Sequence, residues 1–248
     1  MDKKKEIEIL IKTLSSNSYI INFFDRVITE DVLLKNLFKI EQSAKITENK
    51  ILSDRFVLQF NKTNGITLKG ILDFFEYYNF PVDRISVANE YFNRIDCDVI
   101  IFGIEADNEK IRCKLYFEYF NKSKILGIKW NDSKSTITHY NQLSEISYSD
   151  LVKKSNFNIV PKFILDKRSD IIGVYDITEE HNEKNAFDIM FDNGSMYLKD
   201  LSNDVLSITK IDVNCLSHLK WFNLRHFTGG IENNNKYFNI YFVVYWKR

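Results

Sequence analysis

Two cations and a tyrosine alternate along residues 111–119 and could together bind an anion. Arg112, Lys114 and Tyr116 fall on one face of an extended strand, because successive side chains of a strand point to opposite faces. Arginine and lysine side chains bind phosphate oxygens through charge-assisted hydrogen bonds. The pattern therefore indicates either the wall of a site for a multiply charged anion or an ordinary solvent-facing strand. The opposite face is apolar and consists of Ile111, Cys113, Leu115, Phe117 and Tyr119.

Cations and tyrosines also alternate with apolar residues in other predicted strands. Arg55 is the only cation of residues 55–61, and Tyr197 and Lys199 share a face after the Asn193–Gly194 pair, which is typical of a tight hairpin turn. Tyrosine rings can shield a carbocation through their π faces. Taken singly, each residue is typical of an exposed sheet face, but their recurrence favours a shared anion pocket. In the final hairpin, the polar and aromatic residues that alternate with apolar ones, and so could line the same pocket, are Asn223, Arg225, Tyr237, Asn239 and Tyr241.

Composition restricts the classes of function. The chain has 248 residues, of which 44% are hydrophobic, and this is enough for one substantial core. Its formal net charge of zero argues against a general binder of nucleic acid or anionic membranes, so an anion site must be a local cluster. The sequence has no glycine-rich phosphate loop, HExxH motif or aspartate-rich magnesium motif, and we predict no metal held by side chains. The histidines stand singly and are expected to be surface or hairpin residues: His139, His181, His218 and His226.

The sequence also predicts a cytoplasmic protein. The first residues, MDKKKEIEILIKTL, lack the apolar core and cleavage site of a secretory signal. No run of about 18 apolar residues appears, so no membrane-spanning helix is expected. The odd number of scattered cysteines indicates reduced, structural thiols: Cys97, Cys113 and Cys215.

Hydrophobic periodicity predicts helices and strands in one domain over residues 1–248, since no linker-like segment divides the chain. Helices are predicted at 4–14, 18–38, 67–78 and 84–94, with a weaker signal at 149–156. Strands are predicted at 51–61, 97–106, 111–120, 124–131, 134–140, 171–178, 185–192 and 195–201, and in a final hairpin that joins 218–228 to 236–245 across a loop at 229–235. This α+β pattern fits two architectures equally well: a closed antiparallel barrel with outer helices, or an open sheet with one solvent-exposed face.

Four segments resemble the peptide prenyltransferases of cyanobactin pathways. Residues 40–60 (IEQSAKITENKILSDRFVLQF) resemble the family's N-terminal signature, in which a glutamate precedes a small Ser- and Lys-containing stretch, a turn and an Arg-Phe strand. Residues 67–78 look like the amphipathic helix that follows. Residues 102–120 are similar to an acidic strand leading into a basic one, and residues 187–201 look like a later hairpin. The final hairpin, with its Gly-Gly loop, also has a counterpart, and all these segments stand in the family's order along the chain.

The resemblance implies the ABBA prenyltransferase fold, an antiparallel β-barrel ringed by α-helices with the reaction inside the barrel. It implies an allylic diphosphate donor, usually dimethylallyl diphosphate, with Mg²⁺ bound through the diphosphate. Glu41 matches the residue that takes the acceptor's proton. Arg55, Arg112 and Lys114 match diphosphate-binding positions, as does Lys199, and strand parity adds Arg225. The candidates for a tyrosine shield around the prenyl cation are Tyr116, Tyr197 and Tyr241.

The expected function is transfer of a dimethylallyl or longer prenyl group to a peptide in the biosynthesis of ribosomal peptide natural products. The protein is expected to act as a monomer on a cyclic or linear peptide, without nucleic acid or membrane partners. Two alternatives stay open at this point. One is an ABBA enzyme that prenylates a small aromatic molecule, and the other is a binding module without catalysis on the same fold.

Overall fold

The computed structural model describes most of the chain in nine segments, namely residues 2–47, 50–63, 65–107, 110–119, 124–143, 171–180, 182–192, 223–232 and 235–247. These residues belong to two compact units. The first contains Met1–Ile40, Asp54–Thr138 and Tyr245–Arg248, and the second contains Glu41–Ser53 and His139–Val244. One domain over residues 1–248 stays a prediction. The predicted helix at 149–156 and the predicted strand at 195–201, with Tyr197 and Lys199, lie outside the described residues, as do Cys215 and His218.

Helices of the first unit begin and end close to the predicted positions, with one exception. They are α1 (Lys3–Leu14), α2 (Ser18–Thr29), α3 (Asp31–Asn36), α4 (Leu68–Glu76) and α5 (Ile85–Asn93). The single helix predicted at 18–38 is wrong, because Glu30 has an extended backbone that separates two helices. The side chains of Asn17 and Thr67 accept hydrogen bonds from the first turns of α2 and α4. Within the described residues, no helix has both the length and the apolar character needed to cross a membrane.

The described residues form eleven strands, and ten of them pair in a closed order. They are β1 (Leu37–Thr47), β2 (Ile51–Leu52), β3 (Arg55–Asn61), β4 (Cys97–Asp107), β5 (Lys110–Tyr119), β6 (Lys124–Trp130), β7 (Ser135–Gln142), β8 (Ile171–Glu179), β9 (Asn182–Phe191), β10 (Asn223–Glu232) and β11 (Asn235–Trp246). The order is β11-β10-β9-β8-β7-β6-β5-β4-β3-β1-β2, and β11 also pairs with β1. Ten strands therefore form a closed ring of pairings, and the resolved registers are antiparallel. The predicted class, an antiparallel β-barrel with α-helices, is confirmed, and the open sheet is excluded.

The strand β1 was not predicted, although its sequence alternates. One face carries Phe38, Ile40, Ala44 and Ile46 together with Gln42, and the other carries Lys39, Glu41, Ser43, Lys45 and Thr47. Lys39, Glu41 and Ser43 are buried, so this part of the polar face does not point to solvent. Glu41 therefore lies within a strand, on a buried polar face.

The predicted loop at 229–235 is also wrong, because the two strands of the final hairpin continue almost to its tip. Gly229 pairs with Phe238 and Gly230 pairs with Tyr237 in the antiparallel ladder. Phe238 is 2% exposed and Tyr237 is 3% exposed. Large aromatic residues opposite glycine supply buried area that the glycine lacks, so a glycine pair need not interrupt a strand.

In the first unit, the apolar face of β3, β4, β5 and β6 packs against helices. Phe75 of α4 lies edge-on to Phe102 at 4.6 Å and to Trp130 at 5.0 Å between ring centroids. The hydroxyl of Tyr119 donates a hydrogen bond of 3.3 Å to the carbonyl of Tyr91 in α5. These contacts confirm that the apolar face of residues 111–119 is a surface on which helices pack.

Two of the three cysteines lie within the described residues, and both are buried free thiols. Burial raises the pKa of Cys97 to about 11 and that of Cys113 to about 12. Both thiols are therefore protonated at neutral pH and poor nucleophiles, as expected for structural cysteines.

Candidate functional site

Strand register in the first unit places the predicted cations on one sheet face. Arg55 of β3 pairs with Glu105 of β4, which pairs in turn with Arg112 of β5. Lys114 follows two residues after Arg112 and pairs with Lys129 of β6. We call Arg55, Glu105, Arg112 and Lys114 the basic cluster.

Glu105 holds the basic cluster together. Its Oε2 atom lies 3.0 Å from Nε of Arg55 and 3.1 Å from Nζ of Lys114. Arg55 is 5% exposed, Glu105 is 8% exposed and Lys114 is 9% exposed. The polar face of β5 is therefore buried at Lys114, and the alternative of a solvent-facing strand is wrong for this part of the sheet.

The charges of the basic cluster determine one another's protonation. Burial alone would raise the pKa of Glu105, but the charges of Arg55, Lys114 and Arg112 outweigh it and hold that pKa well below its ordinary value. Burial lowers the pKa of Lys114 to about 8; Glu105 opposes this shift, while Arg55 and Arg112 add to it. Glu105 is thus a permanent anion, and Lys114 is a cation that loses its proton within a mildly alkaline range.

Lys114 should make stability and anion affinity respond to pH in opposite directions. Between about pH 8 and its ordinary pKa of 10.5, Lys114 binds more protons in the unfolded state, so the free energy of unfolding should rise with pH. Over the same interval the folded protein loses this cation, and its affinity for pyrophosphate should fall about tenfold. Urea denaturation and calorimetry from about pH 7 upward measure both trends.

The matched control for this prediction is Lys114→Met, which keeps the aliphatic stem and removes the titrating group. Comparison with this variant cancels the titration of pyrophosphate and of other side chains. We expect both pH responses to be smaller in Lys114→Met than in the wild-type protein. Identical responses in the two proteins would mean that Lys114 does not titrate in this range.

Two glycines accommodate the side chains on the polar face of β5. A Cβ atom at Gly127 of β6 would lie 2.0 Å from Cδ1 and 2.4 Å from Cε1 of Tyr116, so this ring lies directly against the glycine backbone. A Cβ atom at Gly103 of β4 would lie 3.0 Å from Cβ of Lys114, whose stem crosses that glycine. Because Gly127 and Gly103 have no side chain, they leave room for the Tyr116 ring and for the aliphatic stem of Lys114.

Gly127→Ala should lower the free energy of unfolding by about 1–3 kcal/mol, because the new methyl group overlaps the Tyr116 ring. Urea denaturation of four proteins tests this: wild type, Gly127→Ala, Tyr116→Ala and the double variant. In the Tyr116→Ala background the same glycine substitution should cost less than about 0.5 kcal/mol, since the overlap is gone. Equal costs in both backgrounds would show that the ring is not what excludes a side chain.

In the second unit a histidine lies between two buried carboxylates. Nδ1 of His226 in β10 is 3.2 Å from Oδ2 of Asp188 in β9, and its Nε2 is 3.8 Å from Oε1 of Glu41 in β1. The side chains are 12%, 10% and 2% exposed, respectively. We call these three residues the carboxylate–histidine cluster. His226 lies in the final hairpin, which is one of the two locations expected for it, but it does not stand singly, because two carboxylates lie beside its ring.

Tyr241 of β11 belongs to the surroundings of the same cluster. It pairs with His226 across the β10–β11 ladder, and the two rings meet edge-on with centroids 5.7 Å apart. Glu41 and Tyr241, which the family resemblance marked as proton acceptor and shield, are thus both neighbours of His226.

Arg225 occupies a different environment from the one that strand parity predicted. The register of β10 against β11 shifts between Leu224 and His226, so Arg225 lies in a β-bulge. Its guanidinium donates hydrogen bonds to the carbonyl of Phe191 and, at 3.5 Å, to the sulfur of Met190. Because the bulge interrupts the alternation of side chains, parity does not determine the sheet face on which Arg225 lies. Its role as a diphosphate ligand stays a prediction.

Three residues of these two clusters, and Lys129 beside Lys114, were not predicted as site residues. Lys129 could have been found, because it shares its parity with Gly127 and lies opposite Ile128 and Trp130. Glu105 belongs to the acidic strand of the quoted motif, but no local signal places it among the cations. Asp188 and His226 come from separate strands, and only the folded chain brings them to Glu41.

The donor set of the basic cluster does not fit Mg²⁺. This ion prefers oxygen ligands, and the cluster's one carboxylate, Glu105, already contacts Arg55 and Lys114. In the part of the chain that the structure describes, no group of three or more His, Cys, Asp or Glu side chains is placed to hold a metal ion. Mg²⁺ that enters with a diphosphate would depend on the oxygens of that diphosphate.

No family model matches the sequence, and no curated protein matches it either. Among solved structures, the chain is similar to one described as the crystal structure of NotF prenyltransferase. The similarity has a TM-score of 0.45 at 8% sequence identity, and it covers 90% of this chain and 89% of that chain. The function of this chain must therefore be argued from its own residues.

Proposed function

We propose that this protein is a prenyltransferase that moves a dimethylallyl or longer prenyl group from an allylic diphosphate to a peptide. The basic cluster is the observation that carries the proposal. It gathers three cations and one carboxylate on a largely buried strand face. A diphosphate carries several negative charges, and arginine and lysine side chains bind its oxygens through charge-assisted hydrogen bonds.

Arg55, Arg112 and Lys114 would bind the diphosphate and stabilise the negative charge that grows on it as the C–O bond breaks. Tyr116 lies on the same strand face, two residues beyond Lys114, and is 8% exposed. The π face of this ring would stabilise the allylic cation, and its buried surroundings would keep water from quenching that cation.

Glu41 would take the proton of the acceptor as the new bond forms. A general base must be ionised and close to its proton, and Glu41 is a buried carboxylate, 2% exposed, beside a histidine. Tyr241 would shield the same reaction.

The peptide acceptor, its place in ribosomal peptide biosynthesis and a cytoplasmic setting follow from the sequence resemblance and are part of the proposal. Incubation with dimethylallyl diphosphate, Mg²⁺ and a panel of peptides and small aromatic molecules tests it by mass spectrometry. We expect a peptide to gain the mass of one prenyl unit. A gain on aromatic molecules alone would support the small-molecule enzyme instead. No transfer and no donor binding would leave the non-catalytic binding module.

Arg112→Ala should weaken binding of dimethylallyl diphosphate about 10- to 100-fold, because it removes one charged donor. Arg112 forms no ion pair with another of the described residues, so the free energy of unfolding should change by no more than about 0.5 kcal/mol. Calorimetric titration and urea denaturation measure the two quantities. The matched control is Lys110→Ala, an exposed cation on the same strand. Equal effects of the two substitutions would contradict a specific donor site.

A further inference from the structure

His226 lies between the buried carboxylates of Asp188 and Glu41. Its Nδ1 is 3.2 Å from Oδ2 of Asp188, and its Nε2 is 3.8 Å from Oε1 of Glu41. A proton that reached the imidazole during the reaction would create a cation between two carboxylates, and this geometry suits a proton acceptor.

We propose that His226, held by Asp188, is the positioning residue through which Glu41 passes on the acceptor's proton. The inference rests on the prenyl transfer proposed above. The electron pair of the acceptor's X–H bond forms the new bond to the prenyl carbon, and the C–O electron pair leaves with the diphosphate. The proton passes to Glu41 and then from its Oε1 to Nε2 of neutral His226, which becomes an imidazolium between two carboxylates.

Asp188 determines which nitrogen of His226 receives that proton. Its carboxylate beside Nδ1 favours the tautomer that is protonated there, which leaves the lone pair on Nε2, the nitrogen nearer to Glu41. The 3.8 Å separation is longer than a hydrogen bond, and transfer needs a closer approach or one bridging water when substrate is bound. Among the described residues, Tyr241 on β11 is a further titratable neighbour, and the cation Arg225 adjoins His226 in β10.

The test is the pH dependence of kcat for His226→Gln with dimethylallyl diphosphate and the peptide acceptor. Glutamine keeps a polar side chain but carries no proton, so kcat should fall about 10- to 100-fold while KM for the donor stays the same. The pH profile of kcat should differ in shape between the wild-type protein and the variant, because only the wild-type imidazole can hold the acceptor's proton.

Asp188→Asn should reproduce the rate loss and the altered pH profile. The double variant should be no slower than the slower single variant, because both substitutions disable the same Asp188–His226 pair. If His226→Gln does not fold, Asp188→Asn carries the same test. The control is Phe227→Leu, which perturbs the opposite face of β10 and should leave the shape of the pH profile unchanged.

Two results would overturn the inference, and they are distinguishable. Transfer with superimposable profiles for wild type and His226→Gln would reduce His226 to a packing role and leave the proposed function intact. No transfer by the wild-type protein would overturn the proposed function, and the inference with it.

Discussion

Replacing Glu41 by glutamine should lower the rate of prenyl transfer about 10²- to 10⁴-fold, because the amide cannot accept the acceptor's proton. Donor binding should be unchanged, since the basic cluster keeps its charges. Folding should be preserved as well, because a neutral amide replaces one of two carboxylates buried around a single imidazole. Single-turnover rates with saturating donor and peptide, together with calorimetric titration of dimethylallyl diphosphate, measure the two effects.

Glu41→Asp is the control for the loss of the base. It retains a carboxylate on a shorter side chain and should be slower than wild type but faster than Glu41→Gln. A rate for Glu41→Gln within about threefold of wild type would remove Glu41 from the reaction, since a working base contributes far more. Loss of donor binding in the same variant would instead point to misfolding of the protein.

Replacing Glu105 by glutamine should lower the free energy of unfolding by about 3–5 kcal/mol, because the substitution removes one partner of buried ion pairs and leaves the cations uncompensated. Pyrophosphate should restore part of this loss, since it supplies negative charge to the same cations. The midpoint of thermal unfolding, measured with and without pyrophosphate, should therefore rise further in Glu105→Gln than in the wild-type protein.

The matched control is Asp98→Asn, which removes an exposed carboxylate from the same strand. Its free energy of unfolding should change by no more than about 0.5 kcal/mol, and pyrophosphate should act on it as on the wild type. If pyrophosphate stabilises Glu105→Gln no more than wild type, the basic cluster is a structural ion-pair network and not an anion site.

Strand parity predicted much of the first unit correctly. It separated the face of β5 that packs on helices from the face that carries Arg112, Lys114 and Tyr116, and register then brought Arg55 alongside. This worked because the apolar face is covered by helices of obvious amphipathic period. Strand β1 was missed although its residues alternate, and parity failed for Arg225, where a bulge interrupts the alternation.

The carboxylate–histidine cluster could not be predicted from the sequence. Glu41, Asp188 and His226 are far apart along the chain, and each is unremarkable among its neighbours. Their proximity depends on the pairing of β9 with β10 and on the closed strand order that includes β1. The register of Tyr116 against Gly127 is a similar case, because a glycine in a strand does not reveal which ring lies against it.

The position of Glu105 has a consequence for which anions can bind. The cations Arg55 and Lys114 already contact the carboxylate of Glu105. An anion that enters the site must therefore bring more negative charge than this single carboxylate to bind well. Chloride and singly charged metabolites add little under this condition, whereas a diphosphate adds several charges in one molecule. Glu105 would therefore make the site select anions by their charge. Monovalent anions, which are abundant in a cell, would bind weakly even if they fitted the site by shape.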